Sequence, residues 1–184
     1  MMTWRESIEN YAAWNEQEEK DKEITLSCLE TYSNVLTREN ELVHITSSAF
    51  VVNKTRDKAL MVHHNIYNSW SWTGGHADGE EDLLFVAMKE VKEETGITYV
   101  KPVSEDIISL DILPVFGHQK RGKYVAPHLH INVAYLLEAD EHEPLVVKPD
   151  ENSNVQWIPL AELDSYSDEP HMKEVYKKII ERTV

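Results

Sequence analysis

The sequence has a single cysteine, few basic residues and no long apolar run, and each of these shortages excludes a class of protein. Cys28 alone cannot form an internal disulfide, and a four-cysteine zinc site is excluded as well. No apolar stretch approaches the roughly 20 residues that cross a membrane, and the first residues lack the basic and apolar regions of a secretion signal. We therefore expect a cytoplasmic protein with no membrane partner.

Basic residues are outnumbered by acidic ones, 18 Lys and Arg against 33 Asp and Glu, for a formal net charge of -15. General affinity for nucleic acid depends on clustered Lys and Arg, so we expect no nucleic-acid partner. If the protein acts on a polyphosphate, the positive charge must come from something other than its own side chains. A divalent cation held by carboxylates would supply that charge.

The 184 residues are enough for one ordinary domain with a short addition. Residues 3–36 predict two helices, and the second has an apolar stripe at helical spacing made of Cys28, Leu29, Tyr32, Val35 and Leu36. We interpret residues 1–40 as an N-terminal helical extension packed on a main domain of residues 41–184. A lid or a homodimer contact is the alternative role for this extension.

The pattern changes after residue 44 from helical spacing to short alternating and apolar runs. Strands are predicted over residues 44–52, 58–64, 69–73, 107–116, 129–137 and 155–158, with a hairpin loop over residues 53–57. A helix is predicted from about residue 80 to residue 95, ending at Gly96, and Pro170 opens a C-terminal helix. Because strands outnumber helices and hairpin-length loops join several of them, the pattern favours an α+β fold with a mixed sheet between helices.

Three glutamates of the predicted helix, Glu90, Glu93 and Glu94, are spaced so that their side chains share one helix face. They lie in the last turn, where the helix dipole favours cations, so both their mutual repulsion and their position are unfavourable. A hard cation with oxygen ligands would reverse both effects. The alternative is a solvated acidic face with no ligand.

A longer pattern favours the metal site. Gly75 is followed after five residues by Glu81 and after seven more by the run at residues 89–97, Lys-Glu-Val-Lys-Glu-Glu-Thr-Gly-Ile. This resembles the Nudix signature, in which a glycine and a glutamate precede Arg-Glu-apolar-x-Glu-Glu-x-Gly-apolar at these intervals. Lys89 stands where the family has arginine. Residues 72–76 and 151–160 resemble segments that flank the signature in this family.

The resemblance implies a Nudix-type α/β/α sandwich and a metal-dependent hydrolase that cleaves a diphosphate linkage. The implied substrate is a small nucleoside diphosphate derivative, such as a nucleoside triphosphate or ADP-ribose. The implied cofactor is Mg²⁺, and Mn²⁺ also suits an all-oxygen site. The implied metal ligands are Glu90, Glu93, Glu94 and the backbone carbonyl of Gly74.

The resemblance leaves the general base open between Glu93 and Glu151, with Asp150 as the alternative on the same loop. Lys89 is expected to keep the positive charge of the family arginine but to orient the carboxylates less firmly. Two other functions compete: a non-catalytic nucleotide-sensing module and an isoprenoid diphosphate isomerase. The isomerase chemistry relies on a cysteine near the signature, whereas Cys28 lies in the extension.

Two polar or aromatic groups outside the signature are candidates for substrate contact. His128, His130 and Asn132 alternate with apolar residues, so one strand face is polar. Three interpretations of this face are open. It contacts substrate, or its histidines bind a transition metal together with His118, or it is a half-exposed strand face with no ligand. Trp72, which shares a strand face with Trp70, could stack on a nucleobase, although packing in the core explains at least one of the two rings.

Overall fold

The computed structural model describes residues 2–120 and 122–183 of the chain. The strands are β1 (Val43–Val52), β2 (Lys58–His64), β3 (Ser69–Ser71), β4 (Thr73–His76), β5 (Val100–Val115), β6 (His118–Lys120), β7 (Lys123–Val125), β8 (His128–Ala139) and β9 (Asn152–Pro159). The α-helices are α1 (Trp4–Asn10), α2 (Glu16–Thr31), α3 (Leu83–Thr95), α4 (Leu163–Tyr166) and α5 (Pro170–Thr183). A 3₁₀ turn over Leu160–Glu162 precedes α4.

Strand β1 lies in the middle of a seven-stranded mixed sheet. It runs parallel to β8 from the pair Val43–Leu129 to the pair Val52–Glu138, and β5 lies antiparallel on the outer side of β8. On its other side β1 pairs antiparallel with β2 and with β4, and β9 pairs antiparallel with β2. The predicted α+β fold with a mixed sheet is therefore confirmed.

Each face of this sheet is covered by its own helical layer, because alternate residues of a strand point to opposite faces. On one face Ile45 packs in a core with Ala87 and Val91 of α3. On the opposite face Phe50 packs in a second core with Tyr176 of α5. Helices on both sides of the sheet give the α/β/α sandwich that the signature implied.

The face covered by α5 is apolar at one end and polar at the other. Strand β1 buries Phe50 and Val52 under α5, whereas earlier residues of the same face are His44, Thr46 and Ser48. This polar end forms part of the wall of a large cavity. The alternation of one strand thus supplies both a hydrophobic core and a cavity wall.

The N-terminal extension covers the edge of the sheet at β5. Ile8 of α1 and Leu29 of α2 lie in the same core as α3. Asp21 of α2 accepts a 2.9 Å hydrogen bond from the main-chain N–H of Ile112 in β5. An edge strand whose main-chain groups find such partners offers fewer sites for pairing with another chain.

The second N-terminal helix is shorter than predicted. It ends before Tyr32, which is extended, so Val35 and Leu36 do not continue the helical stripe. The carbonyl of Val35 instead accepts a 2.7 Å hydrogen bond from the N–H of Ile45 in β1. This hydrogen bond to β1 therefore replaces continuation of the helix. Cys28 is half-buried in the last turn of α2.

Two other element boundaries differ from the prediction. Helix α3 begins later than expected, at Leu83, because Asp82 caps it by accepting a 2.9 Å hydrogen bond from the N–H of Phe85. The strand predicted over residues 69–73 is interrupted at Trp72, since β3 pairs with β2 whereas β4 pairs with β1. The short hairpin of β6 and β7 was not predicted.

Strand β5 also begins earlier than predicted, at Val100 rather than at residue 107, and β9 spans Asn152–Pro159 rather than residues 155–158. Other features agree with the sequence. Residues 53–57 connect β1 to β2, Pro170 opens the C-terminal helix, and Gly96 ends α3 in a left-handed conformation with φ of 75°. Within residues 2–120 and 122–183, none of the helices combines the length and the apolar character needed to cross a membrane.

Candidate active site

The end of α3 places a buried carboxylate against the glycine-rich strand β4. Glu94 is only 4% exposed. One of its carboxylate oxygens accepts a 3.0 Å hydrogen bond from the main-chain N–H of Gly74, and the other accepts a 2.9 Å bond from the side-chain amide of Asn152. This one side chain therefore connects α3 to β4 and to the beginning of β9.

Glycine at position 75 allows the Glu90 carboxylate to lie directly against the main chain of β4. A Cβ at Gly75 would stand 2.4 Å from Oε1 of Glu90, far inside van der Waals contact. A Cβ at Gly74 would stand 2.9 Å from the main-chain oxygen of Ser47. Only glycines allow β4 to approach both β1 and the Glu90 carboxylate this closely.

These carboxylates resist ionisation where they lie. Burial raises the pKa of Glu94 to about 7, although the hydrogen bonds from Asn152 and Gly74 oppose the shift. Burial also raises the pKa of Glu90, and the Glu93 carboxylate adds to that rise against the opposing charge of Lys89. A nearby cation favours the ionised form of such groups, and oxygen donors of this kind suit Mg²⁺ or Mn²⁺.

The loop between β8 and β9 brings a fourth glutamate to the same place. The N–H of Val146 donates a 2.8 Å hydrogen bond to the last main-chain carbonyl of α3, and a Cβ at Gly96 would lie 2.7 Å from the Cβ of Val146. Beyond this contact, Lys148 lies 3.1 Å from the Glu151 carboxylate and 4.0 Å from that of Glu93. We call Glu90, Glu93, Glu94 and Glu151 the glutamate cluster.

Lys89 contributes charge to the cluster but little orientation. Its Nζ lies 3.9 Å from Oε1 of Glu90 and 3.7 Å from Oε1 of Glu93. Both distances exceed hydrogen-bond length, and the Lys89 side chain is 49% exposed. The ammonium therefore neutralises part of the negative charge without fixing either carboxylate.

A cavity of about 1310 Å³ adjoins the glutamate cluster and reaches the polar end of the sheet. His128, His130 and Trp72, the predicted substrate contacts, all lie in its wall. Trp72 is nevertheless only 8% exposed and packs edge-on against Tyr176, with 5.5 Å between the ring centroids. Most of its surface therefore belongs to the core under α5.

Several side chains of this region were not singled out from the sequence. Lys148 lies in the loop before β9 and Asn152 is the first residue of β9, where the sequence follows no regular pattern. His44 and His76 lie in the cavity wall beside His130. For His44 a signal was present, because it begins the polar alternation of β1 in the same way that His128 begins that of β8.

Comparison with known proteins places this geometry in a family. The family model of the NUDIX domain matches residues 43–179, which is more than half of the chain. The RNA pyrophosphohydrolase of Brucella abortus (strain 2308) is 30% identical over 119 residues, 60% of this chain and 66% of that protein. The matched stretch thus spans just under two thirds of that relative.

Solved structures share the fold. An Ap4A hydrolase from C. elegans aligns with a TM-score of 0.55 at 20% identity, over 78% of this chain and 100% of that one. The E. coli dihydroneopterin triphosphate pyrophosphohydrolase aligns with a TM-score of 0.57 at 14% identity, over 76% and 96%. At these identities the likeness concerns the fold. Since the family model spans the glutamate cluster and the strands that hold it, the chain belongs to the NUDIX family.

Proposed function

We propose that the protein is a Mg²⁺-dependent hydrolase that cleaves a phosphoanhydride bond in a nucleoside diphosphate derivative. The observation that carries this proposal is that Glu90, Glu93 and Glu151 of the glutamate cluster lie in the wall of a 1310 Å³ cavity, which exceeds the roughly 300–1,000 Å³ of most sites for small organic ligands and so has room for a nucleotide. A protein with net charge -15 repels a polyphosphate unless a cation is present. The cluster would hold that cation.

In this proposal Glu90 and Glu94 are the principal metal ligands, with Glu93 and the carbonyl of Gly74 as further donors. The hydrogen bonds that orient the Glu94 carboxylate, from Asn152 and from Gly74, support the assignment because ligand carboxylates are commonly held by such partners. The gap left by the missing Cβ at position 75 supports it for Glu90. Bound Mg²⁺ would polarise phosphate oxygens and acidify a bound water.

Glu93 and Glu151 are the candidates for the general base. In the reaction a water oxygen bonds to phosphorus, the P–O bond to the leaving phosphate breaks, and the carboxylate takes the water proton. Both side chains are solvent-accessible, 45% for Glu93 and 40% for Glu151, and both lie near Lys148. Asp150, exposed in the same cavity wall, is the third candidate.

The polar end of the sheet supplies the proposed substrate contacts. His128 and His130 face the cavity. Asn132 lies beside them with its side-chain oxygen accepting a 2.7 Å hydrogen bond from the Ser48 hydroxyl. Its amide nitrogen is buried and finds no partner among the described residues, so a substrate oxygen would satisfy it. Trp72 would contact the substrate with the edge of its ring.

The test is a panel of phosphoanhydrides with Mg²⁺, each product being identified. The panel holds nucleoside triphosphates, ADP-ribose, a dinucleoside tetraphosphate, dihydroneopterin triphosphate and a 5′-triphosphorylated RNA oligonucleotide, the last because of the Brucella relative's name. We expect turnover on a small nucleotide and not on the RNA, because the chain is acidic. Binding without turnover of any compound would instead favour a nucleotide-sensing module.

The same assay separates the two bases. Loss of a general base slows turnover by about 10²- to 10⁴-fold. At saturating Mg²⁺, Glu151→Gln should show this loss if Glu151 is the base and a much smaller loss if Glu93 is the base. Glu105→Gln, an exposed glutamate outside the cavity, is the matched control. Wild-type rates in both Glu93→Gln and Glu151→Gln would exclude these residues and leave Asp150.

A further inference from the structure

Four histidine rings meet at the polar end of the sheet, apart from the carboxylates of the glutamate cluster. His44 of β1 pairs in register with His130 of β8, and His76 of β4 pairs with Thr46, two residues after His44. The ring centroids of His44 lie 5.1 Å from His76, 4.8 Å from His128 and 4.9 Å from His130. Three adjacent strands thus direct imidazoles to one point.

His44 is buried at this point with an unused nitrogen. The side chain is 4% exposed, and its Nδ1 lies 2.9 Å from the carbonyl of Asn40. A carbonyl can only accept, so Nδ1 carries the proton and Nε2 has a free lone pair. Nε2 has no hydrogen-bond partner among the described residues, which costs free energy in a buried position. A ligand at Nε2 would remove this cost.

The spacing of the nitrogens suits a metal ion. One ring nitrogen from each of His44, His76 and His130 lies within 4.8 Å of the others. Nitrogens bound to Zn²⁺ at 2.0–2.1 Å stand about 3.4 Å apart in tetrahedral geometry, so small rotations of the rings close the site. The Nε2 atoms of His128 and His130 are already 3.2 Å apart.

Burial favours the neutral form of His44, His76 and His130, which is the form that coordinates a metal. Burial lowers the pKa of His130 to about 2, helped by the neighbouring histidines, and lowers the pKa of His76 to about 3, helped by the charge of Arg38 and by His44. Burial also lowers the pKa of His44. The Arg38 guanidinium is itself paired with Asp78 through two 2.7 Å hydrogen bonds.

We propose that His44, His76 and His130 bind a divalent transition-metal ion of the Zn²⁺ class, with His128 as an adjacent fourth ligand. Imidazole nitrogen favours Zn²⁺, Co²⁺, Ni²⁺ or Cu²⁺ over Mg²⁺, whereas the glutamate cluster has the opposite preference. His118 is not among the ligands, because the ring nitrogens that lie within 4.8 Å of one another are those of His44, His76 and His130. This site shares His128 and His130 with the proposed substrate contacts, but metal binding there does not depend on the proposed hydrolase activity.

The test uses Co²⁺ as a spectroscopic probe and Zn²⁺ as its competitor, on the full chain in millimolar Mg²⁺. We expect one Co²⁺ per chain with visible d–d absorption, displaced by Zn²⁺ and not by Mg²⁺. Removing a residue that only hydrogen-bonds to a metal ligand already lowers metal affinity by about 10- to 100-fold. His76→Asn and His130→Asn, both at half-buried cavity positions, should each weaken binding by at least that factor.

Two controls separate this site from other sources of binding. His142→Asn removes an exposed histidine outside the cluster, and Glu90→Gln changes the glutamate cluster, so both should keep the wild-type Co²⁺ affinity. Equal affinity in wild type, His76→Asn and His130→Asn would overturn the proposal. So would loss of the Co²⁺ spectrum in Glu90→Gln or its displacement by Mg²⁺. Circular dichroism shows whether each variant is folded.

Discussion

The lysine at position 89 shows how one side chain changes the organisation of a charged site. An arginine there could hold a carboxylate through two parallel hydrogen bonds. The Lys89 ammonium instead stands 3.9 Å from Glu90 and 3.7 Å from Glu93 and hydrogen-bonds to neither. Glu90 thus keeps its place through packing against Gly75 rather than through a hydrogen bond from Lys89.

Lys89→Arg should therefore raise turnover. A planar guanidinium can reach the Glu90 carboxylate with two donors and reduce its freedom. A gain of about 1 kcal/mol in transition-state stabilisation corresponds to roughly fivefold in kcat. The measurement is the Mg²⁺-dependent kcat on the best substrate of the panel, with Lys92→Arg, an exposed lysine of the same helix, as control. An unchanged or lower kcat in Lys89→Arg would refute the interpretation.

Single residues were predictable where the pattern was regular. The three glutamates of α3 could be found because helical spacing places them together, and the signature added Gly74 and Gly75. Asn152 and Lys148 could not be found, because their positions depend on how a loop docks on the end of α3. Such docking is decided by tertiary contacts such as that of Val146 with Gly96, which leave no periodic signal.

At the scale of elements, α2 is attached to the sheet by a buried ionic cluster. Lys178 of α5 lies 2.8 Å from the Glu18 carboxylate and 2.6 Å from that of Asp111 in β5, and all three side chains are at most 5% exposed. Tyr11 donates a further 2.7 Å hydrogen bond to Glu18. We propose that the extension at residues 1–40 serves to cover the β5 edge, which explains why it lies outside the family match.

Glu18→Gln should destabilise the fold by about 3 kcal/mol at neutral pH, because removing one member of a buried ion pair leaves the other charge insufficiently compensated. Burial alone would raise the pKa of Glu18, but hydrogen bonds from Lys178, Trp14 and Tyr11 outweigh it and lower the pKa below its ordinary value. Its ionised form therefore stabilises the fold above the unfolded carboxyl pKa of about 4.3.

This stabilisation is lost as the pH falls through the lowered pKa of Glu18 in the folded protein. Urea unfolding at pH 7 should therefore give a lower free energy of unfolding for Glu18→Gln than for wild type. This difference in free energy should shrink at pH values below the ordinary carboxyl range. Glu19→Gln changes an exposed neighbour on α2 and should leave the free energy of unfolding at the wild-type value at pH 7 and at the lower pH. A difference for Glu18→Gln that does not change with pH would contradict the ionic origin of the attachment.

The elements themselves were largely predictable. Short β-like runs located β1 and β2, alternation located β8, and helical spacing located α3 and α5. The end of α2 was misplaced because Val35 bonds to β1 instead of continuing the helix. The strand break at Trp72 was missed because it arises from two different pairing partners rather than from a turn residue. Both errors come from contacts that are distant in the sequence.

At the scale of the whole molecule, the acidity of the chain and the position of the cavity have one explanation. A net charge of -15 would exclude a polyphosphate from a cavity lined by glutamates. Cations bound at the glutamate cluster would reverse the local charge without altering the rest of the surface. The sandwich allows this because α3 carries three of the four glutamates on one layer while β1 and β8 supply the cavity wall.

The most direct test of this account is the Mg²⁺-dependent hydrolysis rate of Glu94→Gln beside that of wild type. The amide of glutamine has one acceptor oxygen in place of two, so it cannot accept from both Gly74 and Asn152 and still bind a cation. We predict at least a 100-fold loss of kcat, with Mg²⁺ binding by calorimetry weakened in parallel and the folded circular dichroism spectrum retained. Wild-type turnover by a folded Glu94→Gln variant would contradict the account.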